Sequence, residues 1–227
     1  MNILAVDSCS STASCALMCD DKLVSEGYLN HEKTHSQKLL PMIDSVLKNA
    51  EIKVSQVDLF ACTIGPGSFT GQRIGIATVK GLAQGTGKMC VGVSALEAMA
   101  YNIPFTDALI SPIMDARRGQ VYNGVYKWDG GQLVTLKSDR ALALDDLLKE
   151  LNGQKVVFLG DGAAAFKDKL SDFLIAPPQL SQIRASSVAN LAKSRPSVTC
   201  DKLLPLYLRK SQAEREYEQK HNKQSNI

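Results

Sequence analysis

The sequence predicts an α/β protein of two related halves, each a mixed sheet flanked by helices. The first observation is an order of three strands, a helix, a strand and a helix that occurs twice along the chain. The second is Val57 to Ile64, a continuous apolar run of strand length, as expected for an interior strand covered on both faces. The third is bulk: 227 residues, 44% hydrophobic and 22% charged, can fill a core without disulfides or a structural metal.

Each element follows from local pattern. Ile3, Ala5 and Asp7 face one way and Leu4 and Val6 the other, so the chain opens on a strand, and Ser8 to Thr12 turns it. Ser14 to Cys19 and Leu23 to Leu29 continue an antiparallel meander across the polar link Asp20-Asp21-Lys22. Leu39, Leu40, Ile43, Val46 and Leu47 then form a helical stripe, with Thr34 or Ser36 available as its cap. After the Val57–Ile64 strand a helix spans Thr70 to Gln84, with Gly71, Gly75, Thr78 and Leu82 near one face, so its backbone can approach a neighbour closely. Met89 to Val93 is a short strand, and Ser94 with Glu97 caps the next helix in the S-x-x-E manner. A turn-rich break at Asn102 to Asp107 separates the halves, placed at residues 1–104 and 105–227. Strands at Ala108–Met114, Gln120–Tyr126 and Gln132–Leu136, a helix at Leu144–Leu151, a strand at Val156–Leu159 and a helix at Ala163–Leu170 repeat the pattern. A last packed helix is expected at Ala185 to Ser194, and a cleft between the halves is the default ligand site.

Charge and cysteine usage exclude several classes. The net charge is +3, but residues 193–227 hold eight Lys/Arg against four Asp/Glu, so the rest sums to about −1 and no broad basic face is implied. No apolar run reaches the 18 to 20 residues or so of a bilayer-spanning helix, and no cationic, apolar leader precedes Asp7. None of the six cysteines forms a C-x-x-C pair, and four lie in strand-like apolar runs, which reads as buried reduced thiols of a cytoplasmic protein.

The most informative string is Gly65-Pro66-Gly67-Ser68-Phe69-Thr70-Gly71-Gln72-Arg73-Ile74-Gly75, between a strand and a helix. Its glycines and hydroxyls at a helix N-terminus describe either a phosphate or carboxylate cradle or a plain strand-to-helix turn with Thr70 as cap. It lacks the P-loop lysine. His31 and His35 are spaced i, i+4, but a metal needs further ligands and Glu32 points off their face, so a loop or helix-start pair is expected. Ser8 and Ser68 have no histidine placed by sequence, so no nucleophile and base can be named.

The same string resembles the signature of the TsaB (YeaZ) family, relatives of the threonylcarbamoyl transferase TsaD in the actin-like ATPase superfamily. Further strings resemble family signatures in the same order: Ile3-Leu4-Ala5-Val6-Asp7-Ser8, His35-Ser36-Gln37-Lys38-Leu39-Leu40-Pro41, Val93-Ser94-Ala95-Leu96-Glu97-Ala98, Asp115-Ala116-Arg117-Arg118-Gly119-Gln120-Val121-Tyr122 and Pro205-Leu206-Tyr207-Leu208-Arg209. Gln72, where leucine is common, and Gln120, where glutamate is common, depart from the pattern.

The resemblance implies two actin-like (RNase H-like) halves and a supporting role in making threonylcarbamoyladenosine beside the anticodon of tRNA. It implies TsaD as partner in a heteromer, recruitment of the ATPase TsaE, tRNA engaged through the complex, a homodimer when alone, and no membrane. TsaD carries an H-x-x-x-H metal pair in the segment aligned with Ser94 to Met99; this chain has Ala95 and Met99 there, so no catalytic residue and no metal site are expected. The implied partner face is the helices 36–49 and 70–85, with Leu39, Leu40, Ile43, Leu47, Gly71, Gly75, Ile76 and Val79 as candidates. No tightly bound cofactor is expected; weak ATP or ADP with Mg²⁺ would involve Asp7, Gly67, Ser68, Asp115, Asp161 and Gly162. Lys202, Arg209, Lys210, Arg215, Lys220 and Lys223 offer phosphate contacts to tRNA, against which the interleaved Glu214, Glu216 and Glu218 argue for a solvated helix. The competing reading is an independent enzyme, a glycoprotease-like hydrolase or an ATP-using phosphotransferase.

Overall fold

In the computed structural model, which describes residues 1–31 and 35–209, the repeat inferred from pattern is visible as two sheets of the same strand order. The first contains β1 (Asn2–Asp7), β2 (Thr12–Cys19), β3 (Lys22–Asn30), β4 (Leu59–Gly65) and β5 (Met89–Ser94), with α1 (His35–Asn49) and α2 (Phe69–Thr86) between them in sequence and α3 (Ala95–Ala100) after β5. The second contains β6 (Leu109–Asp115), β7 (Gln120–Asp129), β8 (Gln132–Ala143), β9 (Val156–Leu159) and β10 (Leu174–Ile175), with α4 (Leu144–Leu151), α5 (Asp161–Ala165) and α6 (Ala185–Ala192). The orders are β3-β2-β1-β4-β5 and β8-β7-β6-β9-β10. In each, the first three strands pair antiparallel and the last two join the first in parallel, so both sheets are mixed.

Strand parity sorts the core. Leu4 and Val6 pack with Leu39, Ile43, Phe60, Ile76 and Val79 beneath α1 and α2. Ile3 and Ala5, on the opposite face of β1, join Leu96, Met99, Ile110, Tyr126 and Val188 in a layer between the sheets. A third cluster around Ile113, Val125, Leu144, Leu147 and Phe158 sits under α4 and α5. Helix α6, which follows the second sheet in sequence, packs on β1 and β2 of the first. Arg184, just before α6, pairs with Glu26 of β3 at 2.7 Å.

Several boundaries differ from expectation for local reasons. Helix α2 starts at Phe69 with Ser68, not Thr70, as its cap, and Ser68 Oγ accepts from Gly71 N at 3.2 Å. Strand β8 runs to Ala143 because its polar part, Lys137 to Arg140, still pairs with β7. The helix expected over Ala163–Leu170 is a short α5 followed by a 3₁₀ turn at Lys167–Leu170. The two-residue β10 had no periodic signal. Cys9, Cys15, Cys62 and Cys90 are buried, Cys19 and Cys200 partly so. No described helix is long and apolar enough to cross a bilayer. The basic and acidic residues of 210–227 and the cap candidate Thr34 lie outside the described residues.

Candidate functional site

A cleft of about 530 Å³ opens between the halves, where the β1–β2 turn, the start of α1, the glycine loop before α2, the β6–β7 turn and the start of α5 converge. Gly67, Ser68, Asp115 and Asp161, four of the candidates for weak nucleotide binding, line it. Residues that pattern did not single out for it, Ser10, Ser11, Phe69 and Tyr122, line it too, together with His35, Arg117 and Arg209.

The glycine loop is built to pack. A Cβ on Gly67 would lie 2.1 Å from the Cys9 carbonyl oxygen, and one on Gly71 would lie 2.0 Å from that of Ser8. Gly75 is similarly close, 2.6 Å from Ser8 Oγ. Ser68 N donates to Cys9 O at 2.7 Å, and Ser8 Oγ donates to Gly71 O at 2.8 Å. These glycines therefore let α2 lie directly on the β1–β2 turn, and two donors of the expected cradle, Ser68 N and Gly71 N, are already engaged within the protein.

Two members of the expected nucleotide set do not reach the cleft. Asp7 is fully buried: its Oδ1 accepts from Thr63 Oγ1 at 2.5 Å and from Cys9 N at 3.1 Å, while Oδ2 has no hydrogen-bond partner among the described residues. Burial pushes this carboxyl up to about 7, against the hydrogen bonds that hold it down. Gly162 is buried against the Ile113 carbonyl. The cleft carboxylates are Asp115, whose Oδ1 accepts from Arg117 N at 2.7 Å, and Asp161, whose Oδ1 accepts from Asp115 N at 3.2 Å. Burial, reinforced by the charge of Asp115, raises Asp161. With Asp7 sequestered and Ser68 N and Gly71 N engaged within the protein, the first half's loop lacks an accessible carboxylate for Mg²⁺ and two of the donors expected for a nucleotide.

The residues tested for catalysis are engaged elsewhere. His35, the first residue of α1, donates from Nε2 to the Ser10 carbonyl at 2.8 Å, and His31 lies before the helix. The hydroxyls of Ser8 and Ser68 are bonded to Gly71, so neither pairs with an imidazole. Ala95 and Met99 are packed in the apolar layer between the sheets. No group of three or more metal-binding side chains occurs among the described residues.

The expected partner face needs correction. Leu39, Ile43, Leu47, Ile76 and Val79 are core residues under the first sheet, and Gly71 and Gly75 are covered by Ser8; Leu40 alone of that set is exposed, at 54%. Helical periodicity marks the stripe that a protein uses on itself. The solvent side of the same two helices carries Leu40, Pro41 and Asp44 on α1 and Arg73, Ala77, Gly81 and Gln84 on α2. A polar interlock between the halves had no motif either: Asp139 accepts from Ser94 Oγ at 2.5 Å and from Tyr126 OH at 2.8 Å.

Comparison with known proteins matches this arrangement. Residues 29–217 match a family model described as TsaD, tRNA N6-adenosine threonylcarbamoyltransferase. The tRNA threonylcarbamoyladenosine biosynthesis protein TsaB of Bacillus subtilis is 35% identical over 94% of this chain and 96% of its own. The structure of YeaZ from Pseudomonas aeruginosa superposes with a TM-score of 0.79 at 28% identity, covering 91% of this chain and 99% of that one. The ethanolamine utilization protein EutJ from Carboxydothermus hydrogenoformans, 12% identical with a TM-score of 0.50, covering 83% of this chain and 89% of that one, shares the actin-like fold alone. By sequence along nearly its whole length and by the paired mixed sheets, the chain belongs to the TsaB (YeaZ) family of tRNA threonylcarbamoyladenosine biosynthesis.

Proposed function

We propose that this chain is a non-catalytic, cytoplasmic subunit that binds the transferase TsaD, supports it and helps to recruit the ATPase TsaE, with tRNA engaged through the assembly. The observation that carries the reading is α3, where Ala95 and Met99, one turn apart, are both buried in the apolar core. An alanine methyl and a thioether in that setting supply no hard-cation or zinc ligand. Chemistry at the adenosine then falls to the partner.

The docking surface in this reading is the solvent side of α1 and α2. Leu40 offers an exposed apolar anchor, and Ala77 and Gly81 leave room for a partner helix to cross closely. Self-complementarity of the same surface gives a two-fold homodimer when TsaD is absent. Any weak nucleotide binding belongs to the Asp115 and Asp161 side of the cleft. The test is light scattering on the purified chain mixed with TsaD of the same organism. A heteromer is expected, and Leu40→Asp combined with Ala77→Asp weakens it at least tenfold while leaving the thermal melt of the free chain in place. Assembly that survives both charges moves the contact elsewhere; turnover of threonylcarbamoyl-adenylate by this chain alone overturns the non-catalytic reading.

A further inference from the structure

The mouth of the cleft combines features that the scaffold reading leaves unused. Phe69 lines the cleft and stacks on Tyr207, with ring centroids 4.8 Å apart and planes 21° from parallel. Behind that pair, Arg73 lies 5.6 Å from the Tyr207 centroid and donates from Nε to its hydroxyl at 2.8 Å. The stack is held by the segment after the 3₁₀ turn at Cys200–Lys202: Leu206 N donates to Ile64 O at 2.7 Å, and Arg209 donates to the Ala116 carbonyl across the cleft.

Ala116 leads into the β6–β7 turn, where Arg117, Arg118 and Gly119 all have left-handed backbones, with φ of 67°, 57° and 70°. Two successive arginines in that region are costly unless the surroundings hold them there. The turn leaves the Arg117 side chain 88% exposed, with Arg118 beside it also exposed. Arg117 and Arg209 line one opening with His35 on its wall, Arg118 follows Arg117 in the turn and Arg73 stands behind the aromatic pair; they are opposed by Asp115, 27% exposed and 3.7 Å from Arg117 Nη1, and by the more deeply set Asp161. Residues 1–192, which include Arg73, Arg117 and Arg118, sum to only about −1, and Arg209 comes from the basic C-terminal stretch, so this density of cations is local.

We infer that this mouth binds an unpaired stretch of RNA, with one base stacked on Phe69 and adjoining phosphates on Arg117, Arg118 and Arg209. Aromatic faces grip any base without reading its edge, and arginine forks match phosphate. A paired helix keeps its bases inside and offers the Phe69 ring nothing to stack on. The inference rests on the reading of this family member as part of tRNA modification and deepens it by giving this subunit a direct RNA contact, separate from the α1–α2 surface.

The experiment is fluorescence anisotropy on the full chain at low salt, with a labelled RNA stem-loop and a blunt duplex of the same stem as probes. Stem-loop binding stronger than duplex binding is expected. Phe69→Ala should weaken the stem-loop by about 5- to 100-fold and hardly affect the duplex, whereas Phe69→Trp should retain binding. Arg117→Ala with Arg118→Ala should weaken both probes and lower the slope of log K against log salt by about 1 to 2. Thermal melts of each variant separate lost contact from lost fold. No RNA binding, or equal binding of loop and duplex that these variants leave unchanged, overturns the inference. ATP bound in a Phe69-dependent manner without RNA binding assigns the mouth to a free nucleotide. Loss of the TsaD heteromer in the arginine variant, with RNA binding intact, assigns it to an acidic protein surface. Either outcome also overturns the RNA assignment, and neither is the same event as failure of the chain to form a heteromer at all.

Discussion

At the end of β1 the Asp7 carboxyl is strongly altered by its setting. An aspartate titrates at 3.8 in the unfolded chain, but burial holds Asp7 protonated to about 7 in the fold. The folded state therefore binds the extra proton between those values, so this group's contribution to stability is intact below pH 3.8 and is lost as pH rises toward 7. The penalty above pH 7 is on the order of 4 kcal/mol. Asp7→Asn keeps an oxygen for Thr63 and Cys9 but removes the charge, so it should raise the melting temperature at pH 8 by several degrees and change it little at pH 4. Calorimetry at the two pH values checks this, and an equal shift at both would refute the buried-charge account. Sequence placed Asp7 at a strand end; only the packing of Thr63 and the turn at Cys9 decided that it faces inward.

Among the elements, helix α2 shows why equal residues have unequal roles. Gly71 and Gly81 are both helical glycines, and propensity alone credits alanine at each with about 1 kcal/mol. A Cβ at Gly71 collides with a backbone oxygen, whereas one at Gly81 meets nothing within 4 Å. Gly71→Ala should therefore destabilise by several kcal/mol and Gly81→Ala should stabilise by up to about 1 kcal/mol, as measured by urea unfolding of the free chain. Gly81 giving the larger loss would mean that the helix lies the other way round. The close-packing face was legible in the spacing of Gly71 and Gly75, but its neighbour was not, because Ser8 is brought there by the β1–β4 pairing. Likewise the apolar stripes of α1 and α2 were legible, and their assignment to a partner was not, since periodicity does not say which sheet covers a stripe.

For the molecule as a whole, the two sheets share a core layer and are tied by groups far apart in sequence. Asp139 of β8 accepts from Ser94, the cap of α3, and from Tyr126 of β7. Asp139→Ala leaves a half-buried serine and a buried tyrosine hydroxyl without that acceptor, so a loss of about 2 to 4 kcal/mol is expected. Because α6 and α3 are held between both sheets, the loss should appear as an earlier single transition, followed by urea denaturation with two probes. Separate transitions for the two halves would show that the shared layer does not couple them.

The sequence by itself determined the two-fold repeat of elements, the parity of β1, the cap at Ser94 and the family signatures, because each is a local pattern in residue type and spacing. Tertiary structure alone decided that Asp7 and Gly162 are walled off and that Asp115, Arg117, Arg209 and Phe69 share one opening. Those neighbours come from β-turns, helix starts and a late segment separated by scores of residues, and long-range strand pairing brings them together.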